Sequence, residues 1–155
     1  MQIVRSKNKI QNSLTLKQSY QYYIKDIDET SIKYIDYNLY KAICTEFNKE
    51  LIDYIVLEGK HFVIPYRLGI LKIRKRKIDY NNLRPNFNMF NKTGIKTLHL
   101  NEHSGGFYCR YHWNKTTAIV KNKTAYSFIP TRTNLRYLSS VIKDKGREQV
   151  NKYFE

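Results

Sequence analysis

The residues best equipped for chemistry lie in "LKIRKRK", Leu71 to Lys77, where Lys72, Arg74, Lys75, Arg76 and Lys77 crowd together around Ile73. What such a run can do is capture anions. Guanidinium groups fork onto phosphate or carboxylate oxygens, and each phosphate neutralised sets counterions free. Arg84 follows a few positions on, so the expected surface for nucleic acid or another anionic partner is Lys72, Arg74, Lys75, Arg76, Lys77 and Arg84. The plain alternative is a solvated edge strand whose lysines discourage edge-to-edge aggregation. Charge decides between them: 28 Lys and Arg against 13 Asp and Glu leave a formal +15. A surplus that large favours polyanions. No helix suited to the major groove is evident, so base-specific readout is not expected.

Other chemistries find less support. Asp26, Asp28 and Glu29 cluster at the end of a helical pattern and read as a solvated or interface-pairing patch rather than a two-carboxylate nuclease. His103, Cys109 and His112 lie close in sequence, but a fourth ligand is missing, and Cys109 and His112 fall on opposite sides of an alternating strand. There is no Gly-rich phosphate cradle, no H-E-x-x-H and no nucleophile elbow. No catalytic residue, metal or cofactor is therefore expected.

A second constellation is aromatic. In "GFYCRYHW", Phe107, Cys109, Tyr111 and Trp113 share one face, and Tyr108, Arg110 and His112 share the other. Aromatics interleaved with arginine can stack on bases. The favoured expectation is a subunit interface through Phe107, Tyr111 and Trp113, because Tyr and Trp concentrate at such surfaces. Cys44 and Cys109 stand in unrelated contexts and imply no disulfide framework. No apolar run approaches membrane-spanning length, so no membrane partner is expected. The three "NKT" triplets, at Asn91, Asn114 and Asn122, read as turn chemistry.

The elements that must position these residues follow from periodicity. Residues 1–13 form a basic arm; Leu16, Tyr20, Tyr23, Ile24 and Ile27 then mark a short amphipathic helix. Leu39, Ile43, Phe47, Leu51 and Ile55 recur every fourth residue, predicting a long core-facing helix capped by Asp36 or Asn38 and ended by Gly59. Past Gly59 the period falls to two. "KHFVIP" is a short strand, and "LGILKIRKRK" its return, with Leu71 and Ile73 on one face and Lys72, Arg74 and Arg76 on the other. No apolar residue pins that return strand between Ile73 and Ile78, which predicts a ribbon outrunning its core. An inserted hairpin is expected at about residues 95–120, from "IKTLHLNE" and "GFYCRYHW" joined at Gly105 and Gly106. Short strands are expected in "TTAIV" and "AYSFI". A short helix carrying Leu135, Leu138, Val141 and Ile142, capped by Thr131 or Thr133, closes a single domain over residues 14–145, with 146–155 as a charged tail. The fold class is α+β.

That order of elements resembles the HU and integration host factor family over roughly residues 36–143. "LGILKIRKRK" is similar to the family strand that leads into the DNA-embracing arm, with Gly69 at the family glycine and Arg74 and Arg76 at its basic pair. "RPNFNMFNKTG" resembles the arm tip, and "YSFIPTRTNLRYLSSVI" the closing strand and helix. The resemblance implies an HU-like helix pair, a sheet with an extended β-hairpin arm, and a short C-terminal helix. The chain departs from the family in Arg67 before the glycine, in Pro85 near the arm's base where Asn88 and Met89 occupy the tip, and in the inserted hairpin. Intercalative bending is therefore not carried over. Together with "Y-x-x-Y-I", "HSGG-F-Y-C-R-Y-H-W" and "Y-S-F-I-P-T-R-T-N", the chain resembles the host-factor-like proteins of crAss-like bacteriophages. This implies a virion structural protein of the tail or neck, assembled in the host cytoplasm as a homo-oligomeric ring. Its partners would be other tail or portal proteins, with non-specific contact to duplex DNA possible. A dimeric protein that organises or regulates phage DNA is the alternative.

Overall fold

Thr15 starts the first helix, α1 (Leu16–Ile24), with a reciprocal cap: its hydroxyl accepts from the Gln18 N–H, and the Gln18 side chain accepts from the Thr15 N–H at 2.9 Å. The structure, a computed structural model, describes residues 14–83, 85–98, 101–121, 123–124 and 126–155. The basic arm 1–13, Arg84 and Asn122 lie outside the described residues. Among the described residues the chain is mixed helix and sheet, with four helices and a three-stranded antiparallel sheet, so it is α+β. No described helix is long and apolar enough to cross a membrane.

Residues 14–145, expected as a single domain, contribute to two compact units, residues 1–51 with 122–127 and residues 52–121 with 128–155. The first unit is a tyrosine cluster. Tyr20 packs edge-on against Tyr37 at 5.3 Å and tilts against Tyr40 at 5.4 Å, while its hydroxyl donates to the Ile35 carbonyl. Asp36 caps the long helix α2 (Tyr37–Val56), accepting from the Leu39 N–H at 2.6 Å. The periodic stripe on α2 is where expectation and structure part. Leu39 and Ile43 are each 52% exposed, and burial on this helix is confined to Ile55 and Val56. A 3.6-residue period identifies an apolar face but says nothing about what covers it.

The second unit holds the core and the sheet, ordered β1 (Phe62–Ile64), β2 (Gly69–Lys77), β3 (Phe107–Asn114). Leu71 and Ile73 from β2 are buried, as are Ile55 and Val56 from the end of α2 and Leu138, Val141 and Ile142 from α4 (Arg132–Asn151). Gly69 opens β2 with φ +103, and a Cβ there would lie 2.4 Å from the Asn114 carbonyl oxygen. Only glycine fits. Trp113 uses that closeness, its indole N–H donating to the Leu68 carbonyl at 2.7 Å.

Three expectations change. First, β2 does not run free as an arm. It pairs with β1 at its start and with β3 from Ile70 to Lys77, so its backbone groups are answered by a strand thirty or more residues onward. Second, β3 forms as expected but pairs with β2, not with "IKTLHLNE". In the described part of that stretch the only β-structure is an isolated bridge, Pro85 to Leu98, and the described parts of "TTAIV" and "AYSFI" form no strand. Instead a short helix, α3 (Phe87–Thr93), fills the excursion. Third, residues 146–155 are not a free tail but return to the core. The closing helix breaks at Gly146 as expected, where the backbone is non-helical with φ +59, and a further helical stretch follows to Asn151. Past that glycine, Val150 and Tyr153 are buried, Gln149 donates to the Leu57 carbonyl at 2.9 Å, and Tyr153 donates to that of Val56 at 2.8 Å. These bonds satisfy carbonyls that the C-terminus of α2 leaves open.

Candidate anion-binding face

Alternation in β2 and β3 sorts their side chains onto two faces, and the register sets which meet. On the face away from the core, Lys72 stands opposite His112, Arg74 opposite Arg110, and Arg76 opposite Tyr108. Arg74 is half-buried, and Arg76 and Arg110 are exposed. Together with Tyr108, Tyr111 and His112 these arginines line a cleft of about 180 Å³. The Arg110 guanidinium lies over the Tyr108 ring at 5.3 Å, and the Lys72 ammonium over Phe154 at 4.5 Å.

Electrostatically the face is one-signed. Among the described residues no carboxylate pairs with Arg74, Arg76 or Arg110; Lys49–Glu46 and Lys60–Glu58 pair elsewhere. Two polar atoms of residues that line the cleft, Arg74 Nε and His112 Nδ1, are buried without a hydrogen-bond partner. Burial first, and then the Arg74, Lys72, Arg76 and Lys115 charges, hold the His112 pKa below its ordinary value. A half-buried guanidinium facing a second one, with a donor unanswered and no counter-charge, has the chemistry to accept an anion.

The remaining expected residues are placed as follows. Lys75 and Lys77 point to the opposite face, where the Lys75 ammonium lies 5.7 Å from the Phe107 ring centre, so the basic run divides between two surfaces. Phe107, Tyr111 and Trp113 are half-buried on that inner face, and the Tyr111 hydroxyl donates to the Asn134 carbonyl at 3.3 Å. Cys109 and His112 stand in register with Lys75 and Lys72, on opposite faces. Arg110 and His112 were not among the residues expected to bind anions. The signal was present, since their alternation with Tyr108 matches that of Lys72, Arg74 and Arg76. What local sequence lacked was the knowledge that the two strands are partners. No protein-family profile, curated protein or solved structure significantly matches this chain.

Proposed function

We propose that this chain is a non-enzymatic structural subunit of a phage virion. It assembles as a ring in the tail or neck and turns its arginine-bearing sheet face toward a polyanion, duplex DNA foremost. The observation that carries the polyanion contact is Arg74 opposed by Arg110 with no carboxylate among the described residues paired with either. Such a pair is unfavourable in the isolated chain and is relieved when a negative partner arrives. The virion setting draws on the resemblance to the HU-like proteins of crAss-like phages. In this reading β2 is the arm-bearing strand of an HU-like fold, its arm taken into the sheet by pairing with the inserted β3. Leu39 and Ile43 on α2, with the exposed parts of Phe107, Tyr111 and Trp113, make lateral contacts between copies and with neighbouring tail or portal proteins.

The second reading, a dimeric HU-like protein that organises phage DNA, is favoured by the same basic face. Native mass spectrometry and fluorescence anisotropy with a labelled duplex, read over a salt series, separate the two. A cyclic oligomer of many subunits, whose weak duplex binding fades steeply with salt, is the expected result. A stable dimer gripping DNA tightly moves the assignment to the second reading. A monomer indifferent to duplex DNA even at low salt overturns both.

A further inference from the structure

We propose that the cleft between Arg74, Arg110 and His112 is a site for one phosphate-type oxyanion, and that filling it is coupled to protonation of His112. The inference rests on the polyanion contact proposed above and names the group that makes it.

Geometry comes first. Cross-strand neighbours in an antiparallel pair stand about 5 Å apart at Cβ, so the register Arg74–Arg110 and Lys72–His112 fixes the donors on paired backbone rather than on loops. The cleft of about 180 Å³ holds several water volumes of ~30 Å³ each, enough for one tetrahedral oxyanion. Arg74 and His112 both line it, and each carries a buried nitrogen, Nε and Nδ1, without a hydrogen-bond partner, so a small side-chain turn would bring that donor to a ligand. Two guanidiniums and an imidazole lining one cleft from two strands suit the three-dimensional spread of oxygens on a phosphate. A carboxylate offers two oxygens in one plane and leaves a donor unanswered.

Charge supplies the coupling. The groups acting on His112 are Lys72, Arg74 and Arg76 from β2 and Lys115 just past β3, with Arg110 in the same cleft; all are cations. Burial first, and then the Arg74, Lys72, Arg76 and Lys115 charges, hold the imidazole midpoint below its ordinary 6.5. An oxyanion offsets the cations and raises that midpoint, and by linkage a protonated His112 tightens the oxyanion. Affinity therefore grows as pH falls through the His112 midpoint.

The test uses the full chain with isotope-labelled histidine. Inorganic sulfate is the probe because its charge stays constant over the pH range, and chloride at equal ionic strength is the reference. Sulfate is expected to raise the His112 midpoint and to bind roughly fivefold or more tightly at about pH 5.5 than at about pH 7.5. Arg110→Gln, at an exposed strand position, should weaken sulfate about tenfold or more, with circular dichroism confirming the fold. His112→Gln should keep binding and lose its pH dependence. A midpoint that sulfate and chloride move alike, or sulfate binding indifferent to Arg110→Gln, overturns the proposal, as does an acidic peptide that fills the cleft where sulfate and phosphate do not.

The source of the phosphate is read by two further arms. A duplex that raises the His112 midpoint and loses affinity in Arg110→Gln assigns the site to nucleic-acid backbone, and inorganic phosphate acting alone assigns it to a free anion. Duplex binding that is unchanged in Arg110→Gln removes the cleft and leaves the polyanion contact standing. Sulfate binding without any duplex binding does the reverse.

Discussion

The two faces of the β2–β3 pair share one backbone and one register, yet only one has its polar groups answered. On the inner face Leu71 and Ile73 are buried, the Tyr111 hydroxyl and Trp113 indole each find a carbonyl, and Cys109 is half-buried beside the aromatics. On the outer face Arg74 Nε and His112 Nδ1 find nothing, and Arg74 looks across at Arg110. Burial acts on both and always penalises the charged form. Inside, it pushes the Cys109 thiol up to about 11 and the Tyr153 hydroxyl up to about 12, and both stay neutral. Outside, it pushes His112 down, toward a neutral ring that an arriving anion can recharge. Alternating residues of one strand thus divide: one set holds the fold, and the other is left with unanswered donors and no counter-charge.

The largest effect that tests this division is at Ile73, 1% exposed. Ile73→Ala leaves a cavity in the core and is expected to cost about 3 kcal/mol. Its neighbour Arg74 changed to Gln should stay within about 0.5 kcal/mol of the parent. Urea denaturation of both variants measures the contrast. Equal losses from the two would mean that the outer face also holds the fold, and the comparison would fail.

A smaller loss is expected at the edge where the faces begin. Gly69→Ala puts a Cβ 2.4 Å from the Asn114 carbonyl oxygen at a φ of +103. Backbone strain of this kind costs about 2 kcal/mol, and the first pairs of β2 with β3 should loosen. Amide exchange at Ile70 and Trp113 reports it. Protection that survives the substitution would show that β3 can slide without penalty, and the register on which the arginine face depends would be soft.

Legibility in the sequence follows the same line. Strand alternation put Leu71 and Ile73 on one side and Lys72, Arg74 and Arg76 on the other, and the burial pattern of β2 agrees. The Asp36 cap and the left-handed Gly59 were legible for a related reason: each depends on residues within a turn of itself. What failed was non-local. Nothing within "LKIRKRK" says that its partner starts at Phe107, so the strand looked unsupported, and Arg110 and His112 were left out of the site. Nothing within "REQVNKYFE" says that Val150 and Tyr153 reach the core, because the turn that sends them there is the single residue Gly146. The stripe on α2 shows the converse, a strong local pattern with Leu39 and Ile43 still half open.

The smallest effect is also the most direct probe of the outer face. Like charges placed directly opposite in an antiparallel pair repel, by roughly 0.2–1 kcal/mol. Arg110→Gln alone does not isolate that repulsion, because it also removes the guanidinium from the Tyr108 ring, 5.3 Å away. A double-mutant cycle with Arg74→Gln does, since the ring contact is lost in both limbs and cancels. Removing Arg110 should be less costly by about 0.5 kcal/mol when Arg74 is present than when Arg74 is already Gln. The difference should shrink in ~1 M salt, where screening reaches only about 3 Å, and should vanish when sulfate fills the cleft. A coupling of the opposite sign would mean that the two guanidiniums support each other by stacking in the protein alone. The outer face would then be a finished structure that needs no partner.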